Sequence, residues 1–359
     1  MWNKLPDDLE ILVLLWLSPL DLRRLSLTCK YFHSLLSDKS FPTHYDRHRL
    51  AHTVFVASLP LQNRMQKTVL KLLIWQQGRN PMSRWQIELF GYLRGSRWWL
   101  SSCGDGFVCF RGPCNEKKLL VFNPLFPHEY RILSLPAAFN YQHVLYSAIA
   151  FDRKNSVCKL ICWAKFSDDI IITGFHNSKE GTWKRIPECG NGSGKHFIIR
   201  QSAQLVNERF LCWLCTDTIS SVNTVLVFDV EEEMWKEPIP LGNGSFICVI
   251  QHEKRLCLIK RRCQKKETIF ELWKFDLKQR VLEQLEYIRP PTTRETNYCR
   301  GMHLFYGWSR GFLRVVECNI KEKSLCTWVY DISHHSWQSL GDLGIGYDCF
   351  EGSLFRLAV

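Results

Sequence analysis

The sequence predicts an α+β chain of two unlike parts, a small helical module followed by a larger all-β domain. Helical periodicity is confined to about the first fifty residues, where apolar side chains recur in steps of three and four. The remaining residues alternate strand-length apolar runs with turn-forming residues, and large anchor residues return at a regular spacing. The 359 residues are 46% hydrophobic and 23% charged, which is the composition of a folded globular chain and argues against disorder.

The first predicted helix is unusual because every position from Ile11 to Leu17 is apolar. Pro6 suits a first helical turn, and acids at positions 7, 8 and 10 lie where the helix dipole favours anions. Seven residues of helix span about 10 Å, too short for a hydrocarbon core of about 30 Å, and the early acids argue against a signal peptide. A helix that is apolar all round must be covered on all sides, either by its own chain or by another protein.

A second helical stretch begins where Ser18 can act as N-cap and Pro19 can occupy the first helical position. Its apolar residues recur in steps of three and four until Ser37-Asp38 ends the run. They are Leu22, Leu25, Cys29, Phe32 and Leu36. The spacing predicts one continuous apolar face over residues 22–36, in a bundle of two or three helices.

The same residues form a spaced pattern over about 35 positions: a Leu-Pro pair, an apolar residue, an apolar pair, a Leu, then Asp-Leu and Cys-Lys. In order they are Leu5-Pro6, Leu9, Val13-Leu14, Leu17, Asp21-Leu22 and Cys29-Lys30. This joint spacing resembles the F-box family. Leu12 departs from it, because the family often has an acid there, and the departure makes the helix still more apolar.

The resemblance implies an F-box helical module over residues 1–46 that docks on the Skp-type adaptor of a cullin–RING ubiquitin ligase. The adaptor-binding residues that it implies are Leu5, Pro6, Leu9, Val13, Leu14, Leu17, Leu22, Leu25, Cys29 and Phe32. The alternative is a small helical bundle that packs only on its own chain.

Four segments of the β part place an acid or amide directly after an aromatic residue, where its side chain can bond to the backbone and begin a turn. These residues are Asn123, Asp229, Asp276 and Asp331. An anchor residue follows each by six or seven positions, and two looser copies bring the anchors to six. The anchors are Trp85, Tyr130, Trp183, Trp235, Leu282 and Trp337.

The anchors are 45 to 55 residues apart, close to the roughly 50 residues of a kelch blade. Six evenly spaced anchors predict an all-β six-bladed kelch-like propeller over residues 47–359, with each anchor filling the wedge between neighbouring blades. An irregular β-sandwich is the alternative. A propeller must close, because an unpaired edge invites aggregation. We therefore expect the C-terminal stretch 347–359 to pair with the first blade, built from about residues 53–90.

Three further segments carry a second, more diffuse resemblance. GDGFVCF (104–110) leads to VFNP (121–124) and SLP (134–136), a texture that is similar to the F-box-associated propellers common in plants. The chain has no Gly-Gly doublet, which departs from the strict kelch motif.

The 16 Cys are spread thinly and mostly lie in apolar runs, which is typical of reduced core residues in an intracellular protein of the nucleus or cytoplasm. Cys212 and Cys215 form a CxxC, but residues three apart on a strand point to opposite faces and cannot share a metal. Adjacent His334 and His335 would be separated in the same way. With no phosphate loop, metal set or nucleophile elbow found, the sequence predicts a non-catalytic chain without metal or cofactor.

Basic residues are concentrated outside the helical module, since residues 1–50 carry a net charge of +1 and the rest +11. The densest run is EKRLCLIKRRCQKKE (253–267). From it we take a candidate basic patch for contact with substrate or nucleic acid: Lys260, Arg261, Arg262, Lys265 and Lys266. The alternative is a solvated hairpin.

These features together predict the substrate-recognition subunit of an SCF (cullin–RING) ubiquitin ligase. The F-box would bind the Skp-type adaptor, and the propeller would bind the protein to be ubiquitinated, with no membrane involved. Two alternatives from other classes are a basic propeller scaffold that binds nucleic acid or chromatin-associated proteins, and a propeller enzyme.

Overall fold

The structure, a computed structural model, describes the chain in segments. They are residues 6–15, 17, 19–38, 41, 44–45, 53–58, 69–76, 83–88, 98–104, 106–112, 117–123, 130–136, 143–152, 155, 157–165, 171–187, 197–199, 203–242, 244–252, 254–264, 267–277, 279–289, 302–309, 312–319, 324–341 and 347–350.

Three short helices form the N-terminal module: α1 (Asp7–Leu15), α2 (Pro19–Ser26) and α3 (Lys30–Ser37). The prediction of one continuous apolar face over residues 22–36 is therefore wrong, because two helices share that face. No described helix is long and apolar enough to cross a membrane.

The chain leaves α2 through a tightened turn. The N–H groups of Leu27 and Thr28 donate to carbonyls three residues back, at 3.1 and 3.0 Å, instead of continuing the α-helical pattern. The hydroxyls of Ser26 and Thr28 bond to carbonyls of the same turn and compete with that pattern. Cys29 is then extended, with φ at −156°, and occupies the N-cap position of α3.

The other described elements are strands. They are β1 (Thr53–Ser58), β2 (Val69–Gln76), β3 (Ser83–Glu88), β4 (Trp99–Gly104), β5 (Phe107–Arg111), β6 (Lys118–Phe122), β7 (Tyr130–Ser134), β8 (His143–Asp152), β9 (Val157–Lys165), β10 (Ile171–Asn177), β11 (Thr182–Ile186), β12 (Phe197–Ile199), β13 (Gln204–Val206), β14 (Phe210–Asp217), β15 (Asn223–Asp229), β16 (Met234–Trp235), β17 (Ile239–Gly242), β18 (Phe246–His252), β19 (Arg255–Gln264), β20 (Glu267–Asp276), β21 (Val281–Ile288), β22 (Met302–Ser309), β23 (Phe312–Asn319), β24 (Ser324–Asp331), β25 (Ser336–Gly341) and β26 (Tyr347–Phe350).

The described strands form six antiparallel sheets, numbered here along the chain. The first contains β26 and β1–β3, the second β4–β7, the third β8–β11, the fourth β12–β17, the fifth β18–β21 and the sixth β22–β25. The fourth has six strands because its first and last strands are split: β12 and β13 both pair with β14, and β16 and β17 both pair with β15. The predicted architecture, a helical module followed by a propeller-like β domain, is confirmed.

The ring closes through β26, which comes from the C-terminal stretch but pairs with β1. Phe350 lies opposite Phe55, and Tyr347 opposite Ser58. β26 also lies against β22 of the sixth sheet and β4 of the second. Pairing with β1 covers an edge that would otherwise be open to another chain. Residues 351–359, which belong to the same expectation, lie outside the described residues.

The two faces of a sheet contribute to different hydrophobic clusters, because successive residues of a strand point to opposite faces. On β14, Cys212 belongs to the cluster between the fourth and fifth sheets. Cys215 belongs to the cluster between the third and fourth. The two thiols therefore lie on opposite faces, as strand geometry predicts for this CxxC.

The second and third sheets approach closely at Gly104, in β4. A Cβ atom there would lie 2.8 Å from the carbonyl oxygen of Ile149 in β8, closer than real Cβ atoms come. Only glycine therefore permits the backbones of these two sheets to lie at this distance.

The turn before the last strand repeats one construction in several sheets. An Asp or Asn side chain accepts a hydrogen bond from a backbone N–H two or three residues later. The residue four positions after the Asp or Asn has a positive φ, and the anchor residue lies six positions after it. The sets are Asn177, Gly181 and Trp183; Asp229, Glu233 and Trp235; Asp276, Arg280 and Leu282; and Asp331, His335 and Trp337. The turn-forming role predicted for the three Asp residues is observed, and Asn177 is a further instance.

The same turn corrects one sequence prediction. His334 and His335 do not lie on a strand but in the turn 332–335, where His335 has φ at 48°. His334 Nδ1 lies 2.8 Å from the carboxylate of Asp331, and His335 Nδ1 lies 2.9 Å from that of Glu286. Each imidazole therefore has its own partner, and the pair does not converge on one point.

Candidate functional site

The helix α1 has one buried and one exposed side, and apolar residues, six of its nine, lie on both. Leu14 is 0% exposed and Leu15 is buried beside it. Leu9, Leu12 and Val13 are 47%, 46% and 43% exposed. Because these three positions follow the helical spacing of three and four, they share one side of the helix. We call Leu9, Leu12 and Val13 the α1 face.

One polar contact ties α1 to the start of α3. Tyr31 donates its hydroxyl hydrogen bond to the carboxylate of Glu10. Glu10 is buried, so this bond supplies a partner to a carboxylate that has lost water. The ring of Tyr31 itself is exposed. The contact therefore adds an aromatic surface beside α1.

A set of large side chains supports the α1 face from beneath. Tyr45 donates a hydrogen bond of 2.9 Å to the carbonyl oxygen of Leu17, just after α1. Its ring stacks on Phe41, with centroids 6.2 Å apart. Leu22, Phe32 and Leu36 belong to the same cluster as Leu14. We call these residues, which lie beneath the exposed side of α1, the packed base.

The packed base extends beyond the helices. Its hydrophobic cluster also contains Trp98 and four residues of the second sheet. Those four are Val108, Phe110, Leu120 and Phe122. A shared cluster fixes the helices relative to the sheet, because separating them would expose this apolar surface to water.

The sequence-predicted adaptor residues fall into three groups. Pro6, Leu9, Val13 and Cys29 are exposed, and Leu17 and Leu25 are half-buried. The buried members are Leu14, Leu22 and Phe32. Leu5 lies outside the described residues.

Three exposed residues were missed by sequence reasoning: Leu12, Leu27 and Tyr31, the second being 74% exposed. Leu12 carried a signal, since it adds an apolar residue where the F-box pattern often has an acid. Leu27 stands outside the 3–4 spacing, so only the turn that separates α2 from α3 shows that it is exposed.

Comparison with known families matches residues 2–47 to the family described as F-box-like. The N-terminal helices are an F-box-like domain. The match covers α1, α2 and α3 together with Phe41 and Tyr45. It does not extend to the β part. No curated protein matches the chain significantly.

The solved structures that resemble the chain share little sequence identity with it. TolB from Acinetobacter baumannii is 7% identical, with a TM-score of 0.51 over 88% of this chain and 72% of that one. The β-propeller domain of the Trilobed protease from Pyrococcus furiosus is 10% identical, with a TM-score of 0.42 over 70% of this chain and 88% of that one. At such identities, the likeness to TolB concerns the fold alone.

The three described members of the candidate basic patch lie on β19 of the fifth sheet, and two of them adjoin one carboxylate. Lys260 Nζ and Arg262 Nη1 lie 3.9 and 3.6 Å from the carboxylate oxygens of the buried Glu271. Lys260 Nζ also lies 5.9 and 5.8 Å from the ring centroids of Phe246 and Trp273. The positive charges of Lys260 and Arg262 are therefore partly engaged by other side chains of the protein. Arg261 is exposed, and Lys265 and Lys266 lie outside the described residues.

The described part of the chain contains no group of three or more His, Cys, Asp or Glu that could hold a metal ion. Burial raises the pKa of the Cys109 thiol to about 12, which outweighs the hydrogen bonds to Ser147 and Ser102. A thiol in that state is a poor nucleophile, because the thiolate is the reactive form. Cys212 and Cys248 also have raised pKa values because they are buried. These residues act as apolar core side chains.

Proposed function

We propose that this chain is the substrate-recognition subunit of an SCF (cullin–RING) ubiquitin ligase. The observation that carries the proposal is the α1 face: an F-box-like domain presents three apolar residues to water although its own core is filled. Apolar surface of this kind is typical of an interface with another protein. The occupant is a Skp-type adaptor, and the direct contacts are made by Leu9, Leu12 and Val13.

In this proposal the propeller holds the protein to be ubiquitinated. A target held by the propeller has its lysines at high effective concentration near the ubiquitin-conjugating enzyme that the ligase recruits. The shared cluster between the F-box-like domain and the second sheet supports this role, because it fixes the distance between adaptor and target. The chain itself performs no covalent chemistry. The kelch-like and plant-type classification, and residence in the nucleus or cytoplasm, belong to the same proposal.

The test is adaptor capture by a variant in which the α1 face carries charge. Leu9→Glu combined with Val13→Glu should abolish capture of purified Skp-type adaptor, since two carboxylates would have to be desolvated at the interface. The matched control is Val281→Glu with Leu285→Glu, two similarly exposed apolar residues on β21. The control should retain capture, and both variants should keep the circular dichroism and melting of the wild type. Undiminished capture by the α1 variant would overturn the proposal.

Buried positions do not serve this test. Leu14 is 0% exposed, so a charged residue there would disrupt the packed base and abolish capture for a structural reason. Loss of capture by Leu14→Glu would therefore not distinguish contact from folding.

The basic charge of the β part favours a second candidate function, a scaffold that binds nucleic acid. Its test is binding of the full chain to a duplex DNA oligonucleotide at several salt concentrations. A steep fall in affinity with salt would support this candidate, because counterion release accompanies phosphate contact. Absence of binding at low salt would rule it out.

A further inference from the structure

A cleft lies between the fourth and fifth sheets, with a volume of about 750 Å³. Its lining comes from the β13–β14 turn, β15 and the β16–β17 connection of the fourth sheet, and from the β18–β19 and β20–β21 turns of the fifth with the strand residues beside them. Its size falls within the range of about 300–1,000 Å³ that is usual for ligand pockets. We call it the 4–5 cleft.

The floor of the 4–5 cleft is apolar. Val227 and Ile239 come from the fourth sheet, Leu256 and Phe275 from the fifth, and all four belong to the hydrophobic cluster between these sheets. The cluster thus reaches the surface at the bottom of the cleft. An apolar side chain of a ligand would be removed from water on contact with it.

The rim of the cleft is basic. Among the lining residues five are Lys or Arg and two are Asp or Glu, which gives a net charge of +3. Three of the bases have carboxylate partners: Lys236 with Glu232 and Asp229, Lys274 with Glu283, and Arg280 with Glu237. These bases are therefore largely neutralised within the protein.

The other two bases are differently placed. Lys254 and Arg255 are exposed, and neither forms an ion pair with any other described residue. Lys254 has φ at 61°, in the tight turn between β18 and β19, so the backbone holds the two residues at the edge of the cleft. Two exposed cations beside an apolar floor match a ligand that carries one or two anionic groups next to an apolar one.

We propose that the 4–5 cleft binds a segment of the protein substrate in which acidic side chains flank a large apolar residue. The apolar residue occupies the floor, and the carboxylates face Lys254 and Arg255. This inference rests on the proposed function and names the chemistry of its substrate. Nucleic acid fits less well, because most of the rim charge is already paired and the floor is largely aliphatic, whereas single strands bind on aromatic stacking platforms.

The test is fluorescence polarisation of the full chain with three fluorescein-labelled pools of eight-residue peptides. The first pool has a fixed centre of Glu-Leu-Glu or Glu-Phe-Glu, the second has Gln in place of both Glu, and the third has Ala in place of Leu or Phe. We expect the first pool to bind, and the other two to bind at least about tenfold more weakly. Equal binding of all three pools, or binding of none, would overturn the proposal.

Variants locate the binding on the protein. Lys254→Asn with Arg255→Gln removes the two rim charges, and Asn tolerates the positive φ at position 254. The matched control is Lys179→Asn with Arg185→Gln, which removes two exposed charges from the third sheet. The cleft variant should bind the first pool at least about tenfold more weakly than the wild type, and the control should bind it equally well. Equal loss in both variants would indicate an effect of net charge and would contradict a specific site.

Two further measurements separate this proposal from its rivals. If the cleft variant still captures the Skp-type adaptor but peptide binding is unchanged, the cleft assignment alone fails. If wild-type chain binds the peptides but captures no adaptor, the proposed function fails and the cleft remains a peptide site. Tighter binding of a labelled single-stranded oligonucleotide that is lost in the cleft variant would overturn the peptide assignment in favour of nucleic acid.

Discussion

The indole N–H of Trp183 donates a hydrogen bond of 3.1 Å to the backbone carbonyl oxygen of Ser134, which ties the last strand of the third sheet to that of the second. Trp337 does the same between the sixth and fifth sheets, with a bond of 2.7 Å to Arg289. Trp235 of the fourth sheet bonds to the hydroxyl of Thr173 in the third. The anchors that mark the sequence repeat thus link each of these sheets to the preceding one.

Removal of one such link should weaken the contact between two sheets. Trp337→Phe keeps an aromatic ring but loses the donor, and we expect the free energy of unfolding to fall by about 1 kcal/mol. Trp183→Phe should have a similar effect. Urea denaturation gives the stability, and hydrogen exchange of the amides in β7 should accelerate in Trp183→Phe only. Unchanged stability in both variants would show that these bonds contribute nothing net.

The ion pair between Arg209 and Asp229 should stabilise the fourth sheet. Asp229 is 0% exposed and accepts hydrogen bonds from Arg209 Nε and Nη2, and from the backbone N–H groups of Glu231 and Glu232. Asp229→Asn should lower the free energy of unfolding at pH 7 by about 2 kcal/mol. This loss is smaller than the roughly 3–5 kcal/mol that breaking a fully buried ion pair costs. The reason is that Arg209 is partly exposed to solvent and keeps its ion pair with Glu232. Urea denaturation measures the difference, for which Glu232→Gln is a control on an exposed carboxylate.

The same pair predicts a pH dependence. Burial raises the pKa of Asp229, but the hydrogen bonds from Arg209 and the backbone outweigh it, so that the pKa lies below its ordinary value. A lowered pKa in the folded state contributes stability that is complete above the unfolded pKa of about 3.9 and is lost as the pH falls further. The difference between wild type and Asp229→Asn should therefore shrink as the pH falls below about 4. A difference independent of pH would show that the effect is not electrostatic.

Replacing the glycine at one turn position and introducing a glycine at another should change the stability in opposite directions. Gly181 has φ at +70°, and Gly181→Ala should cost about 1 kcal/mol because a Cβ atom disfavours this conformation. Glu208 has φ at 56° beside Asn207 at 52°, a pair of positive φ angles that Asn-Gly suits best. Glu208→Gly should therefore raise the melting temperature slightly. Thermal denaturation of both variants is the measurement, and changes of the same sign would contradict the argument.

The sequence by itself determined the division into a helical module and a β part, because hydrophobic periodicity is a local property of the chain. It also determined the repeated turns, because the side chains of Asp229, Asp276 and Asp331 hydrogen-bond to backbone groups only two or three residues away. Asn177 escaped notice because His176 stands where the pattern has an aromatic residue. The turn forms there nevertheless, because it requires only the amide side chain.

Only the tertiary structure decided which apolar residues are available to a partner. Val13 and Leu14 are adjacent and equally apolar in kind, but one is 43% exposed and the other 0%, because the cluster that reaches the second sheet covers only one side of α1. The 4–5 cleft was likewise invisible in the sequence. Its lining comes from positions between 206 and 280, which meet only when the fourth and fifth sheets pack side by side. Burial and convergence depend on contacts between distant residues, and no local pattern encodes them.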